Sequence, residues 1–409
     1  MFNIFCDMKK KVLVWLSGWV DSAVSAALLL KQWYEVVWWF MKNYVSDKWN
    51  CTTFKDAEEA IKVAKFLWIE LLSFDLQKEY QERIIDYIFE WYSKWITPNP
   101  DVLCNSLIKF DVFLNKAMEK WFDYIATGHY ARIRSSVISN ECEKSIGVSV
   151  SSWTNVKDLR WNTKDSSFHS EWQAWWEVDS SLRLEWQIRY HLLQWVDSWK
   201  DQSYFLSGLN QYQLSKSIFP LWEMTKQQVR EKAKEIWLPN AERKDSQGLC
   251  FIWNVPIRTF LMQKFPKKEW DILDLNEKKV WTHQWAYFYT IGQKQWLWLN
   301  FKAYVYRIDI ENNILYVTDK DAEELKTKTL IAKNWHWICP DMESEILNWD
   351  KNLTGKIRYR QIPAVECSLD KMENWDMKVT FEKEQRAVAP WQVFVAYDGD
   401  ECLGNGMIA

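Results

Sequence analysis

The sequence predicts an α/β chain built on a parallel sheet and finished by an all-β C-terminal third. Three observations predict it. Residues 11–14 (KVLV) read as a buried strand, Ser17–Ser22 as a polar turn, Ala23–Lys31 as a helix and Tyr34–Met41 as the next strand. That order is a βαβ unit, whose crossover makes its strands parallel. Strand and helix patterns then keep alternating to about residue 130. After about residue 275 the strands become short, and Tyr304–Ile310 and Ile314–Thr318 flank Glu311-Asn312-Asn313, a hairpin signal.

The remaining elements follow in order. Asp56–Leu67 is helical, with Ala60, Val63, Ala64 and Leu67 at i, i+3, i+4, i+7. Residues 69–74 form a strand, Glu79–Tyr92 and Ser106–Met118 helices, and Phe122–Thr127 a further buried strand. Residues 135–190 are rich in Ser, Asn, Asp and Lys without a sustained period, which predicts a long, partly flexible insertion. An ordered pattern returns over 191–206. Thr225 and Gln228 form a capping box that opens a helix running to Ile236, and Trp237-Leu238-Pro239 ends it. Residues 355–361, 376–382 and 391–398 add strands, so the last third is a small β-barrel or sandwich.

With 409 residues the chain is long enough for two or three domains with their own cores. A net charge of −3 gives no global signature for nucleic acid, so any such partner must be read by local patches. No apolar run reaches the length of a membrane span. The start, MFNIFCDMKKK, has no apolar stretch after its lysines; no signal peptide is expected, and the expected compartment is the cytoplasm. The eight cysteines (Cys6, Cys51, Cys104, Cys142, Cys250, Cys339, Cys367, Cys402) form no C-x-x-C pair, so the usual zinc signature is absent. Free thiols are expected, and most free cysteines are inert core or surface residues.

Three motifs carry chemistry. Ser17-Gly18-Trp19-Val20-Asp21-Ser22 stands between a strand and a helix, where backbone N–H groups and the helix N-terminus aim at an anion. It lacks the G-K-[ST] of a Walker loop. The bland alternative is a capped helix start with no ligand. Thr97-Pro98-Asn99-Pro100-Asp101-Val102-Leu103-Cys104-Asn105 is stiffened by two prolines and offers amide and carboxylate groups suited to a base edge. Cys104 is expected just before a helix, a place that favours thiolate. The third motif, Asp245–Ile252 (DSQGLCFI), contains Cys250; alone, a core cysteine is the better account of it.

The loop 17–22 resembles the PP-loop of ATP pyrophosphatases. Its neighbours extend that likeness: FMKNY (40–44), ATGHYAR (126–132), KDQSYFL (200–206), YTIGQK (289–294), KIRYRQ (356–361), then RAVAP and YDGDECLG near the C-terminus. In this order they resemble the bacterial tRNA-specific 2-thiouridylase family over nearly the whole chain, apart from the insertion. The resemblance implies a PP-loop domain of the adenine nucleotide alpha hydrolase-like class (10–253), a small central tRNA-binding domain (254–322) and a C-terminal β-barrel domain (323–409). It implies that Trp15, Leu16, Ser17, Gly18, Trp19, Val20, Asp21, Ser22, Met41 and Gly128 hold ATP, with Mg2+ entering as the ATP complex. Asn99, Pro100 and Asp101 would contact the wobble uridine of tRNA, and Lys200, Asp201, Gln202, Arg358 and Tyr359 the tRNA elsewhere. Lys200, Arg358, Arg360 and Arg386 are candidates for phosphate contacts. Cys250 would carry a persulfide received from a sulfur-relay protein or cysteine desulfurase, and Cys104 would resolve it. His129 reads as structural or nucleotide-adjacent rather than as a base. Two rival functions stay open: another PP-loop adenylating ligase, which needs no cysteine pair, and an inactive tRNA-binding relative.

One composition figure is abnormal: 31 tryptophans against 10 glycines. Trp15 and Trp19 stand at family glycine positions of the phosphate loop, and Trp222, Trp253, Trp296, Trp298 and Trp391 replace further ones. Trp33, Trp68 and Trp237 follow helices, where a left-handed residue, hence glycine, is wanted. Trp337 looks like a genuine tryptophan. An indole at Trp19 is expected to collide with phosphates in the loop. The expectation is that a codon meaning glycine in the source organism has been rendered as tryptophan; the alternative is deliberate redesign or scrambling, in which case the ancestry stands but activity does not follow from it.

Overall fold

A computed structural model describes residues 9–42, 53–94, 98–138, 187–243, 257–262, 264–265, 269–283, 288–294, 297, 299, 301–309, 311–319, 322–348 and 353–409. The loop with Cys250, together with Trp253, Trp296 and Trp298, lies outside the described residues.

The first sheet is parallel, in the order β3-β2-β1-β4-β7: β1 (Lys11–Leu16), β2 (Glu35–Lys42), β3 (Glu70–Asp75), β4 (Tyr124–Ala126) and β7 (Ser217–Ile218). Alternation on β1 divides two cores. Val12, Val14 and Leu16 face one side, with Val24, Ala26 and Leu29 of α1 (Val20–Lys31). Leu13 and Trp15 face the other, with Ile84, Ile88, Ile108 and Phe113. Covering both faces is what a parallel sheet requires, and it explains why β1 is apolar at successive positions. α2 (Thr53–Leu67) follows β2.

The expected helix over Glu79–Tyr92 is a continuous helical segment, α3 (Gln77–Tyr80), a π-type turn (Gln81–Ile85) and α4 (Asp86–Ser93). The next helix begins earlier than its apolar pattern suggests. α5 (Pro100–Leu103) starts with Pro at the first turn, and the Asn99 side chain caps it by accepting from the Val102 N–H at 3.5 Å. It runs on through a π-helical stretch (Cys104–Val112) into α6 (Phe113–Glu119). Cys104 is therefore inside the helix, past its first turn, rather than just ahead of its start.

The insertion is also shorter than its composition implies. Its margins are strands: β5 (Arg132–Ile138) and β6 (Gln187–Leu193) pair antiparallel from Arg132↔Leu193 to Ile138↔Gln187. α7 (Ser203–Leu206), α8 (Gln211–Ser215) and α9 (Lys226–Glu235) complete the first part. α9 opens with the expected reciprocal capping box of Thr225 and Gln228. After α10 (Ile257–Leu261), a four-stranded sheet runs β10-β11-β8-β9, with β8 (Trp270–Leu273), β9 (Lys279–His283), β10 (Tyr304–Asp309) and β11 (Ile314–Thr318).

The C-terminal strands are β12 (Lys326–Trp337), β13 (Leu353–Lys356), β14 (Val365–Lys371), β15 (Met377–Arg386), β16 (Val393–Asp398) and β17 (Glu401–Ile408). β12 pairs with both β15 and β17, so the order β12-β15-β14-β13-β16-β17 closes into a barrel without free edges. The β5–β6 hairpin joins the same sheet where β6 pairs with β17.

Six of the ten non-glycine residues with positive φ among the described residues are tryptophans: Trp33, Trp68, Trp121, Trp237, Trp375 and Trp391, at φ between 56° and 69°. Four of them end helices in one pattern. The amides of Tyr34, Ile69, Phe122 and Leu238 donate to the carbonyls of Leu29, Ala64, Ala117 and Ala233, the six-to-one bond of the Schellman motif. In that motif the left-handed residue is usually glycine.

Candidate active site

In a doubly wound sheet, ligands bind beyond the strand C-termini where the strand order reverses. Here that point is the β1/β4 boundary. The loop after β1 is Ser17–Trp19, and the loop after β4 is Thr127-Gly128-His129. Topology thus brings together the loop 15–22 and Gly128, and β2, which ends with Met41-Lys42, lies next to β1. Gly128 is required by close approach: a Cβ there would stand 2.9 Å from the Ser22 amide nitrogen.

The loop has the form of an anion seat. Gly18 has φ 75°. Helix α1 has no side-chain N-cap, so its first-turn N–H groups face the loop. The Ser17 and Ser22 hydroxyls lie 3.2 Å apart, and Ser22 donates to the Trp19 carbonyl at 3.0 Å. The two indoles behave differently. Trp15 points into the core, edge-on to Trp39 and Phe113 with both ring centroids at 5.0 Å. Trp19 stays half-buried on the loop, and the Arg243 guanidinium lies 3.9 Å over its ring.

Lys226, Asn240 and Arg243, missed at the level of motifs, surround the loop together with Tyr130. Asp21 accepts from the Tyr130 hydroxyl at 2.5 Å and from the Lys226 ammonium at 2.6 Å. Arg243 and Asn240 both donate to the Gly18 carbonyl at 3.0 Å. Lys226 is the first residue of α9, and the capping box before it was the available signal.

The helix from Pro100 to Glu119 links this crevice to the other predicted residues. Cys104 is buried in its core at 2% exposure. Five residues on, about 7 Å along a helix axis, Lys109 is also buried and lies 6.0 Å from the Trp15 ring centroid. Its ammonium is 3.2 Å from His129 Nε2, and Thr127 Oγ1 is 2.7 Å from His129 Nδ1. Burial, and then Lys109, push the His129 pKa well below its usual 6.5. A neutral imidazole held on both nitrogens is a structural post rather than a base.

At the N-terminal end of the same helix, Asn99, Pro100 and Asp101 are half-buried. The Asn105 amide ties this turn to α7 by donating to the Asp101 and Phe205 carbonyls at 3.0 and 3.3 Å. Tyr359 packs on Phe205 with ring centroids 4.3 Å apart; burial, with Asp201 adding, pushes its pKa up to about 12. Arg358 donates to the Arg386 carbonyl. Lys200 is exposed. Asp201 is different: it is 2% exposed, accepts from the Trp195 and Ser203 amides and the Ser203 hydroxyl, and pairs with buried Lys356 at 3.3 Å. Its carboxylate is committed to the interior. Gln202 is half-buried, and its side-chain oxygen accepts from the Tyr130 amide at 2.9 Å. So 99–101 and 358–359 gather on one surface beside Phe205, while Cys250 lies outside the described residues. Among the described residues no group of three or more His, Cys, Asp or Glu is placed to hold a metal ion. No helix among them is long and apolar enough to cross a membrane.

Residues 10–167 and 180–254 match the family described as tRNA methyl transferase HUP domain, 258–319 its PRC-barrel domain, and 327–408 the aminomethyltransferase beta-barrel domain. Full-length relatives carry a different name. The tRNA-specific 2-thiouridylase MnmA of Cupriavidus pinatubonensis is 37% identical over 98% of both chains. That of Ralstonia pickettii is 37% identical over 98% of this chain and 96% of its own. That of Methylobacillus flagellatus is 36% identical over 98% and 99%. Each of these relatives is matched over 98% of this chain, across all three of the matched domains. The chain belongs to the tRNA-specific 2-thiouridylase family.

Proposed function

We infer that this chain is an ATP-dependent tRNA sulfurtransferase that replaces the C2 oxygen of the wobble uridine with sulfur. The observation that carries it is the near full-length similarity to 2-thiouridylases, on a fold whose switch point holds a pyrophosphatase-type loop. The chemistry needs that loop. A uridine C2 oxygen is a poor leaving group. Its attack on the α-phosphorus of ATP releases pyrophosphate and leaves the oxygen as part of AMP, which departs readily. A persulfide sulfur then attacks C2.

The loop 15–22, Met41 and Gly128 are the ATP contacts in this scheme, and Mg2+ enters with the nucleotide. Asn99, Pro100 and Asp101 face the target base; Lys200, Gln202, Arg358 and Tyr359 are further tRNA contacts, with Asp201 supporting them from within. Cys250 carries the sulfur, supplied by a sulfur-relay protein or cysteine desulfurase. Cys104 resolves the S–S bond, leaving a Cys104–Cys250 disulfide that a reductant must reopen. What supports a place for Cys104 here is that its helix also carries Lys109, which lies 3.2 Å from His129 in the loop after β4; the division of roles between the two cysteines rests on the family resemblance. Residues 10–253, 254–322 and 323–409 serve as catalytic, central tRNA-binding and barrel domains of a cytoplasmic enzyme.

The test is incubation of the full chain with unmodified tRNA, ATP, Mg2+ and a persulfide source, read by nucleoside mass spectrometry. 2-Thiouridine at the wobble position is expected, and Cys104→Ser or Cys250→Ser should each abolish it. ATP turnover without 2-thiouridine would indicate another adenylating ligase. The half-buried Trp19 ring on the phosphate loop favours one other outcome: with an indole there, the chain binds tRNA without consuming ATP.

A further inference from the structure

Two cations face the phosphate loop from a single stretch of chain, 226–243. Lys226 is 13% exposed at its side chain and holds Asp21, the second residue of α1, at 2.6 Å. Arg243 holds the Gly18 carbonyl at 3.0 Å and covers the Trp19 ring at 3.9 Å. The capping box fixes the start of α9, which packs along α1, so Lys226 has little freedom to leave this rim. Asn240 reinforces the attachment at Gly18.

We propose that Lys226 and Arg243 grip the β- and γ-phosphates of ATP and hold the pyrophosphate as it leaves. The proposal rests on the ATP cleavage inferred above. In that step the uridine oxygen forms a bond to the α-phosphorus. The bond from the α-phosphorus to the oxygen bridging to the β-phosphorus breaks, and its electron pair departs on pyrophosphate. Negative charge therefore grows on the leaving group. The first-turn N–H groups of α1 are partial charges on one side of the seat. A leaving group that gains charge is stabilised further by full cations already in place. The Arg243 guanidinium is fixed at the loop itself, on the Gly18 carbonyl and against the Trp19 ring. Lys226 sits on a second anchor, the Asp21 carboxylate, which would share the Mg2+ that comes with the phosphates as the ammonium turns to them.

A purely structural role for the two cations predicts something else: their loss would loosen the whole loop and weaken every nucleotide alike. The experiment therefore uses the full-length chain with unmodified tRNA and compares inorganic pyrophosphate with AMP as product inhibitors. Lys226→Gln keeps a donor for Asp21 without the charge, and Arg243→Gln does the same for Gly18. Each should weaken pyrophosphate inhibition about 10- to 100-fold, the scale of one charge-assisted hydrogen bond, while AMP inhibition stays within about twofold of the parent. Lys226→Arg should recover most of the loss. Unchanged pyrophosphate inhibition, or equal weakening for pyrophosphate and AMP, would overturn the proposal. If the parent chain forms no AMP and pyrophosphate at all, the failure lies with the inferred reaction instead.

Discussion

Trp33, Trp68, Trp121 and Trp237 occupy the left-handed position of four Schellman helix ends, and their indoles are 73%, 95%, 88% and 82% exposed. An L-residue pays roughly 1–2 kcal/mol for that conformation, and an exposed ring recovers almost none of it by burial. Glycine pays nothing there. Trp38 and Trp39 add a second cost: both are fully buried, and among the described residues their indole N–H groups have no hydrogen-bond partner. Three of these helix ends were readable from position alone, because Trp33, Trp68 and Trp237 follow visible helical runs. Trp121 and Trp375 became visible only through their φ angles. Trp337 differs from the helix-end residues: it lies on β12 and is not among the positive-φ positions. The expected outcome is that protein isolated from its source has an intact mass lower than the written sequence by one indole side chain at each such position. Genes carrying UGG at Trp33, Trp68, Trp237 and Trp337 alike would sink the idea. In recombinant protein as written, Trp33→Gly, Trp68→Gly and Trp237→Gly should each raise stability by about 1 kcal/mol in denaturant titration.

The helix from Pro100 to Glu119 shows what one element's sequence conceals. Its apolar spacing is clear from about Ser106 onward, but its start depends on Asn99 and Pro100, which also read as a proline-stiffened loop. The backbone decides between them: Pro100–Leu103 is helical with Asn99 as its cap, which moves Cys104 from ahead of the helix to within it. The βαβ order and the phosphate loop were legible because strand, turn and helix are adjacent in sequence. His129 reads as structural or nucleotide-adjacent from its motif, but its pairing with Lys109, and the approach of Lys226 and Arg243 to the loop, were not legible, because they depend on contacts between separate stretches of chain. The Lys109–His129 pair has a measurable consequence. Burial and Lys109 keep His129 neutral when folded, while the unfolded chain takes up a proton near pH 6.5. The unfolded state then binds more protons below that pH, so the contribution of His129 is full above pH 6.5 and is lost as pH falls. Thermal midpoints measured from pH 7.5 to 5.5 should fall more steeply for the parent than for His129→Asn. Parallel curves would show that His129 titrates normally.

At the scale of the whole molecule, the β5–β6 hairpin is the joint between the two ends of the chain. It leaves the parallel-sheet part after β4 and joins the barrel sheet through Leu192↔Cys402 and Leu193↔Glu401. Two ion pairs repeat the connection, Arg132 with Asp400 at 2.5 Å and Arg134 with Glu401 at 3.6 Å, and His191 Nδ1 lies 2.7 Å from the Glu401 carboxylate. Deeper in, the Lys356–Asp201 pair ties β13 to the segment before α7. Removing either member would strand a buried charge, a loss of about 3–5 kcal/mol. Against this framework the Ser- and Asn-rich stretch has a defined place. Ile138 and Gln187 are register partners, so residues 139–186 leave and return at one hairpin tip. Strand ends that face each other this way can be closed by a two-residue Asn-Gly turn. Replacing 139–186 by Asn-Gly should therefore preserve the barrel and the catalytic sheet, with a thermal midpoint within a few degrees of the parent and unchanged tRNA thiolation. Loss of thiolation with the midpoint retained would give the insertion a direct part in the reaction. Loss of both would mean that the hairpin does not hold its register without it.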